Sequence, residues 1–321
     1  MQTPNIFKLS FSIANCSHSL GHLFMLRLLS PILIFILFLA PAISEAQLKS
    51  LAPSLLALQK ESGGILGVSI QNMETGDTIS LNGEKPLVMQ SSFKFPIALA
   101  VFNEIENNRL SLEKKVKITK SKLPKETWSP LRDQLKENTS EVSVRELLVF
   151  MVSHSDNIAC DYLLDIIGGP STVQNFIHQK GIKNIAIKYS EAEMGKTWEA
   201  QYQNWVHPKA MSDLFIKLFH EELLSPEHTK HLIKLMEETT TGAGRLKGLL
   251  PENTIVAHRT GTSGRNKDGM IAAVVDAGVL FLPNGQHAAI SVFVTGSGKE
   301  TPEIEAVIAK IGRAVWDLYV K

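Results

Sequence analysis

The chain has 321 residues, with 33 basic and 32 acidic side chains, 44% hydrophobic residues and two cysteines. That length supports one large domain or two small ones with a proper core. The near-zero charge excludes a strongly basic nucleic-acid binder, and two cysteines exclude a disulfide-stapled scaffold.

Residues 1–46 read as an export leader. Met25-Leu26-Arg27 precedes an apolar run over residues 31–43, and Ser44-Glu45-Ala46 has the small-x-small form of a signal-peptidase site. The run is about 13 residues, short of the about 20 that span a bilayer, so the segment reads as cleaved rather than as a permanent anchor. Residues 1–24 make a long front, and Met25 is an alternative start. Removing the leader takes away Lys8, Arg27 and Glu45 and leaves a charge-balanced mature chain. It also removes Cys16, so Cys160 stays alone and an exported chain must fold without an internal disulfide. His18 and His22, spaced like helical metal ligands, fall in the leader as well.

The mature chain opens with leucines at helical intervals over residues 48–59, and Ser62-Gly63-Gly64 supplies a stop. Residues 65–71 and 77–81 are β-rich and joined by a Glu74-Thr75-Gly76 turn, which makes a hairpin. From Ser91 to about residue 238 the pattern is mostly helical, with helices expected over 95–106, 144–151, 157–167, 171–179, 207–220 and 226–238. Strands return at 254–260, 270–275, 278–282 and 288–294. Thr301 is the expected cap of a final helix, with Pro302 in its first turn and an apolar stripe through Ile304, Val307, Ile308, Ile311, Val315 and Leu318. The economical architecture is α/β, an α+β sandwich. Both chain ends (47–90 and 251–321) form an antiparallel sheet flanked by helices, an all-α region (91–250) is inserted, and a cleft lies where they meet.

Three segments carry chemistry. In Gln90-Ser91-Ser92-Phe93-Lys94 a hydroxyl and an amine stand three residues apart, on one face if a helix starts there, so Lys94 could take the Ser91 proton. Such a pair also arises by chance, and Ser111-Leu112-Glu113-Lys114 is a second copy. Ser153-His154-Ser155-Asp156-Asn157 opens a helix, with Ser155 or Asp156 available as a plain N-cap. His258-Arg259-Thr260-Gly261-Thr262 ends a β run, which alone could be an edge strand entering a glycine turn.

In this order, Ser-x-x-Lys, Ser-Asp-Asn and a basic residue followed by Thr-Gly form the motif set of class A β-lactamases and penicillin-binding proteins. The chain therefore resembles serine enzymes that open β-lactam rings, with a β-lactamase/transpeptidase-like fold, over nearly all of its mature length. Gln201-Tyr202-Gln203-Asn204-Trp205, Thr239-Thr240-Thr241-Gly242 with Arg245, and an acid at Asp161 are similar to the PER and VEB extended-spectrum branch.

The resemblance implies roles. Ser91 is the nucleophile, not Ser111, and Lys94 and Ser155 relay its proton to the departing nitrogen. Backbone N–H groups of Ser91 and Thr262 hold the oxyanion. Asn157 binds the substrate's side-chain amide. Arg259, Thr260, Gly261 and Thr262 receive the substrate carboxylate with Arg245 as a second guanidinium, and Trp128 is an aromatic wall. Glu191, in Tyr189-Ser190-Glu191-Ala192-Glu193-Met194-Gly195, activates the hydrolytic water, with Glu193 as its rival.

Two departures stand out: Arg259 replaces the usual lysine, and Gly195 replaces the usual asparagine that helps hold the water. The base for acylation stays open between Lys94 and Glu191. The resemblance implies a small-molecule β-lactam substrate, no cofactor, no metal, no nucleic acid, no membrane after leader cleavage, a monomer, and a bacterial periplasmic or secreted location. The mature histidines include no His-x-His pair, which disfavours a zinc hydrolase. The rivals are a D,D-peptidase and a β-lactam sensor that stays acylated, both without the deacylating glutamate.

Overall fold

The computed structural model describes residues 48–320, so the leader read over residues 1–46 lies outside the described residues. Helix α1 (Ala52–Ser62) ends on Gly63, whose φ of 64° is the left-handed stop that glycine takes without strain. Strands β1 (Ile65–Asn72) and β2 (Thr78–Leu81) form the expected hairpin, and the short β3 (Leu87–Val88) leads into a 3-10 turn, Gln90–Phe93, and helix α2 (Lys94–Glu106).

The middle of the chain is largely helical: α3 (Pro130–Gln134), α4 (Val144–Ser153), α5 (Asn157–Ile167), α6 (Pro170–Gln179), α7 (Glu191–Met194), α8 (Pro208–Phe219) and α9 (Pro226–Glu237). It also holds strands that periodicity did not signal. β4 (Lys115–Thr119) pairs with β5 (Thr139–Ser143), and the two-residue strands β6 (Ile185–Ala186) and β7 (Trp205–Val206) join β3. β4 and β5 are charged and half exposed, so they lack the apolar alternation by which strands are read.

Strands β8 (Val256–Thr262), β9 (Ile271–Phe281) and β10 (His287–Ser297) complete an antiparallel sheet in the order β2-β1-β10-β9-β8. β9 is one unbroken strand where the sequence suggested two; Asp276-Ala277-Gly278 looks like a turn but runs straight through the sheet in register with β8. Helix α10 (Thr301–Tyr319) follows. Its N-cap is Glu300 in a capping box with Glu303, not Thr301, which is already the first helical residue.

The sheet separates two apolar cores. One face meets α1 and α10 through Leu55, Val68, Ile290, Ile304 and Ile311; the other meets the helical region through Phe93, Phe95, Phe215, Val275 and Phe293. β8 is the edge strand beside the 3-10 turn, which brings the third motif against the first. Gly261 permits this approach. A Cβ there would stand 2.7 Å from the Met89 carbonyl oxygen and 3.1 Å from the Ser91 nitrogen.

Candidate active site

The 3-10 turn places Ser91 one turn before Lys94, whose side chain is fully buried. Pro96 is tolerated because α2 begins at Lys94, so its missing N–H is among those a helix start leaves unpaired. Lys94 Nζ donates to Ser91 Oγ at 3.0 Å, to the Ser155 carbonyl at 2.9 Å and to Asn157 Oδ1 at 2.6 Å, and lies 2.6 Å from Glu191 Oε1. An ammonium has three protons for these four oxygens, so one must be shared. Ser91 Oγ in turn donates to Glu191 Oε1 at 3.3 Å. The copy at Ser111 has no such surroundings: Ser111 and Lys114 are exposed, and Ser111 Oγ only accepts the Glu113 N–H.

The second motif forms the opposite wall. Asp156, not Ser155, caps α5, accepting the Ala159 N–H at 2.8 Å and also bonds from Ser129 and the Leu131 N–H. Ser155 is left at φ 58°, and its hydroxyl is not spent on the cap. Asn157 Nδ2 donates to Thr127 Oγ1 at 2.9 Å, and the Asn157 N–H binds the Trp128 carbonyl. Trp128 is 60% exposed, pinned at its indole N–H to the His154 carbonyl at 3.0 Å.

On β8, Arg259 is fully buried. Its guanidinium donates to the Val152 carbonyl, to Ser155 Oγ at 2.9 Å and to the Ser91 carbonyl at 3.4 Å, while Nε has no partner among the described residues. It therefore meets the cleft through Ser155 and not directly, as a carboxylate ligand would. Arg245 behaves similarly. It is buried against Glu305 at 3.0 Å and the Gly261 and Val275 carbonyls, and reaches the cleft by donating to Thr262 Oγ1 at 2.6 Å. Thr260 Oγ1 shares a hydrogen bond with Thr241 Oγ1 at 2.5 Å.

Glu191 and Glu193 separate by geometry. Glu193 is consumed in a capping box with Ser190, accepting its N–H at 2.8 Å, whereas Glu191 turns toward Ser91 and Lys94. The start of α7 is gripped from behind by Asp161, whose two oxygens accept the Glu191 and Ala192 N–H groups at 2.8 and 2.9 Å. Burial pushes the Asp161 carboxyl up to about 6, against the pull of those two N–H donors. Gly195 has ordinary helical φ, and a Cβ there would stand 3.5 Å from the nearest oxygen, so space for a larger residue exists. Cys160, buried in α5, has its thiol pushed up by desolvation and is a core side chain.

Two adjoining cavities open here. One of about 330 Å³ is lined by Ser91, Trp128, Ser155, Asn157, Thr241, Thr260, Gly261 and Thr262. A larger one of about 690 Å³ shares Ser91, Trp128, Asn157 and Thr262, and extends past Glu191, Gly195 and Trp198. Thr127, Thr241 and Trp198 also belong to this site; Thr241 comes from the Thr239-Thr240-Thr241-Gly242 stretch, whereas a lone threonine or tryptophan in a loop carries no signal until the fold places it.

A model of the β-lactamase enzyme family matches residues 47–319. The chain is 45% identical over 287 residues to the β-lactamase VEB-1 of Pseudomonas aeruginosa, covering 88% of this chain and 95% of that relative. It is 36% identical over 256 residues to the extended-spectrum β-lactamase PER-1 of the same organism, covering 80% and 83%. Among solved structures, the TLA-3 extended-spectrum β-lactamase superposes with a TM-score of 0.83 at 42% identity, covering 85% of this chain and 99% of that one. With the serine, lysine and glutamate already assembled in one cleft, these matches across the whole described length establish that the chain belongs to the β-lactamase enzyme family.

Proposed function

We propose that the protein is a class A serine β-lactamase that hydrolyses penicillins and cephalosporins and so confers resistance to them. The observation that carries this is the convergence of Ser91 Oγ, Lys94 Nζ and Glu191 Oε1 within 3.3 Å of one another. In the first half-reaction Ser91 Oγ bonds to the β-lactam carbonyl carbon and the C–N bond breaks. Lys94 and Ser155 deliver a proton to the ring nitrogen, which is a poor leaving group without it. In the second, water adds to the ester carbonyl while giving its proton to Glu191, and Ser91 departs reprotonated. Ser91 Oγ donates to Glu191 Oε1 and accepts from Lys94 Nζ, so Glu191 can take the Ser91 proton directly, and Lys94 can serve as the acylation base only after giving up a proton of its own.

In this reading the backbone N–H groups of Ser91 and Thr262 hold the oxyanion, and Asn157 and Trp128 flank the substrate's side chain. The Thr260 and Thr262 hydroxyls, beside Gly261, meet the ring carboxylate. Arg259 and Arg245 act one layer back, orienting Ser155 and Thr262 and supplying positive charge behind them. The glutamate in place favours a hydrolase over a D,D-peptidase or a sensor that stays acylated. Export through the leader to the periplasm or medium, one catalytic domain from residue 47 onward and a monomeric state belong to the same proposal. No helix of the described residues is long and apolar enough to cross a membrane.

Steady-state hydrolysis of a chromogenic cephalosporin by the protein from Gln47 onward tests it. A lasting covalent adduct without turnover would move the protein to the sensors. Ser91→Ala should show neither turnover nor adduct, and an adduct on Ser111 would make that serine the nucleophile instead.

Asp161 adds a pH dependence. Its folded-state value lies above that of a free carboxyl, so the folded protein takes up a proton there as the pH falls through about 6. The protonated group accepts the Glu191 and Ala192 N–H groups less well, and the grip on α7 loosens. Turnover should therefore decline on the acid side of about pH 6. Asp161→Asn, which cannot ionise, should lose that limb and run at a lower plateau. An unchanged acid limb in the variant would assign it to another group.

A further inference from the structure

Behind the cleft wall, on the face of β8 opposite to Arg259, two titratable side chains meet in the core. His258 Nδ1 lies 2.7 Å from Asp276 Oδ1, and both residues are fully buried. The other carboxylate oxygen, Asp276 Oδ2, accepts the Leu246 N–H at 3.1 Å. No step of the hydrolysis uses either residue. They lie on the sheet face that also carries Val256, Val274 and Leu280, and burying an ionisable pair there carries a desolvation cost.

The site is shaped for this pair. Asp276 stands opposite Thr260 in the β8–β9 register and His258 stands opposite Gly278. A Cβ at position 278 would lie 2.6 Å from the His258 Cβ and 2.3 Å from the Ala257 carbonyl oxygen, so glycine there makes room for the imidazole strand. This also explains why the Asp276-Ala277-Gly278 stretch runs through β9 instead of breaking it.

Across the same face runs the segment 239–246. Thr239 Oγ1 donates to the His258 carbonyl at 2.8 Å, Thr241 Oγ1 meets Thr260 Oγ1, and Leu246 is held by Asp276. Leu246 follows Arg245, which donates to Thr262 Oγ1 at 2.6 Å. Because that oxygen accepts from Arg245, the Thr262 hydroxyl proton is left to donate outward into the cleft.

We propose that His258 and Asp276 are a positioning pair for substrate binding. Asp276 fixes Leu246, thereby Arg245, and thereby the direction in which the Thr262 hydroxyl is offered to a ring carboxylate. The proposal rests on the β-lactam reading of the cleft given above. Its signature is selective, because a group that aims a carboxylate-binding hydroxyl matters to an anionic substrate and not to its neutral ester.

The test compares a penicillin with its methyl ester on the intact protein. In Asp276→Asn the charge that holds the His258 ring and the Leu246 N–H is lost, and one of the two acceptor oxygens becomes an amide NH2. KM for the acid should rise about tenfold with kcat changed less than about twofold, while kcat/KM for the ester stays at the wild-type value. Thr262→Val alone should lower the same acid-to-ester preference, and Asp276→Asn should add little to it.

His258→Leu, which strips Asp276 of one donor, should shift the preference in the same direction. His258→Asn still presents an N–H near the Nδ1 position and should keep the wild-type ratio, so the histidine variants decide if Asp276→Asn does not fold. Equal losses on acid and ester, or a fall in kcat at constant KM, overturn the proposal and leave the pair a core stabiliser. A wild-type protein that turns over neither compound refutes the β-lactam reading instead, which is a distinguishable result.

Discussion

Glu191→Gln takes up a penicillin on Ser91 and does not release it. Glutamine keeps the side chain's length and an oxygen for Lys94, which lies 2.6 Å from Oε1, but its amide cannot accept a proton from water. Deacylation should fall by roughly 10²–10⁴, the usual worth of a placed general base. Intact-protein mass spectrometry should find the chain heavier by one antibiotic molecule, with the adduct persisting after excess drug is removed. The assignment is specific to this acid because Glu193 is engaged with Ser190. Glu193→Gln should unsettle the short helix without trapping the adduct. Full turnover by Glu191→Gln would sink the role given to that carboxylate.

Lys94→Met should block the preceding step. The amine sits at the meeting point of Ser91, Ser155, Asn157 and Glu191, with no solvent contact to substitute for it. Methionine fills the space but neither moves a proton nor neutralises Glu191, which is left beside a buried apolar chain. Rapid-quench measurement of acylation should show a loss of roughly 10²–10⁴. Acylation within tenfold of wild type would mean that Lys94 is structural and that Glu191 alone handles the Ser91 proton.

Ser91, Lys94, Ser155 and Asn157 stand at spacings that survive as linear motifs, because each motif lies at the start of a helix whose local geometry sets its contacts. The sheet and the terminal helices were legible too, since each buries one face and shows it as a stripe or a run. Arg259 and Arg245 were not. A charged side chain beside a Thr-Gly motif suggests a ligand contact, and only packing reveals that β8 turns Arg259 toward the Val152 carbonyl and Ser155. The β4–β5 pair escaped because its strands are charged and wet, and β9 looked divided because an aspartate and a glycine usually mark a turn. Here the aspartate has partners and the glycine makes room for one of them.

The pairing of β1 with β10 has a consequence for how the protein comes into being. Ile65 lies opposite Thr295, so the first long strand made on the ribosome waits for the last one. Contacts so distant in sequence close late and slowly. Arg259 and the rest of β8, which support Ser155 from behind, are also synthesised well after Ser91. A nascent chain therefore carries the serine without the wall that completes its site. The molecule gains a functioning cleft only at the end of its synthesis, when the sheet shuts.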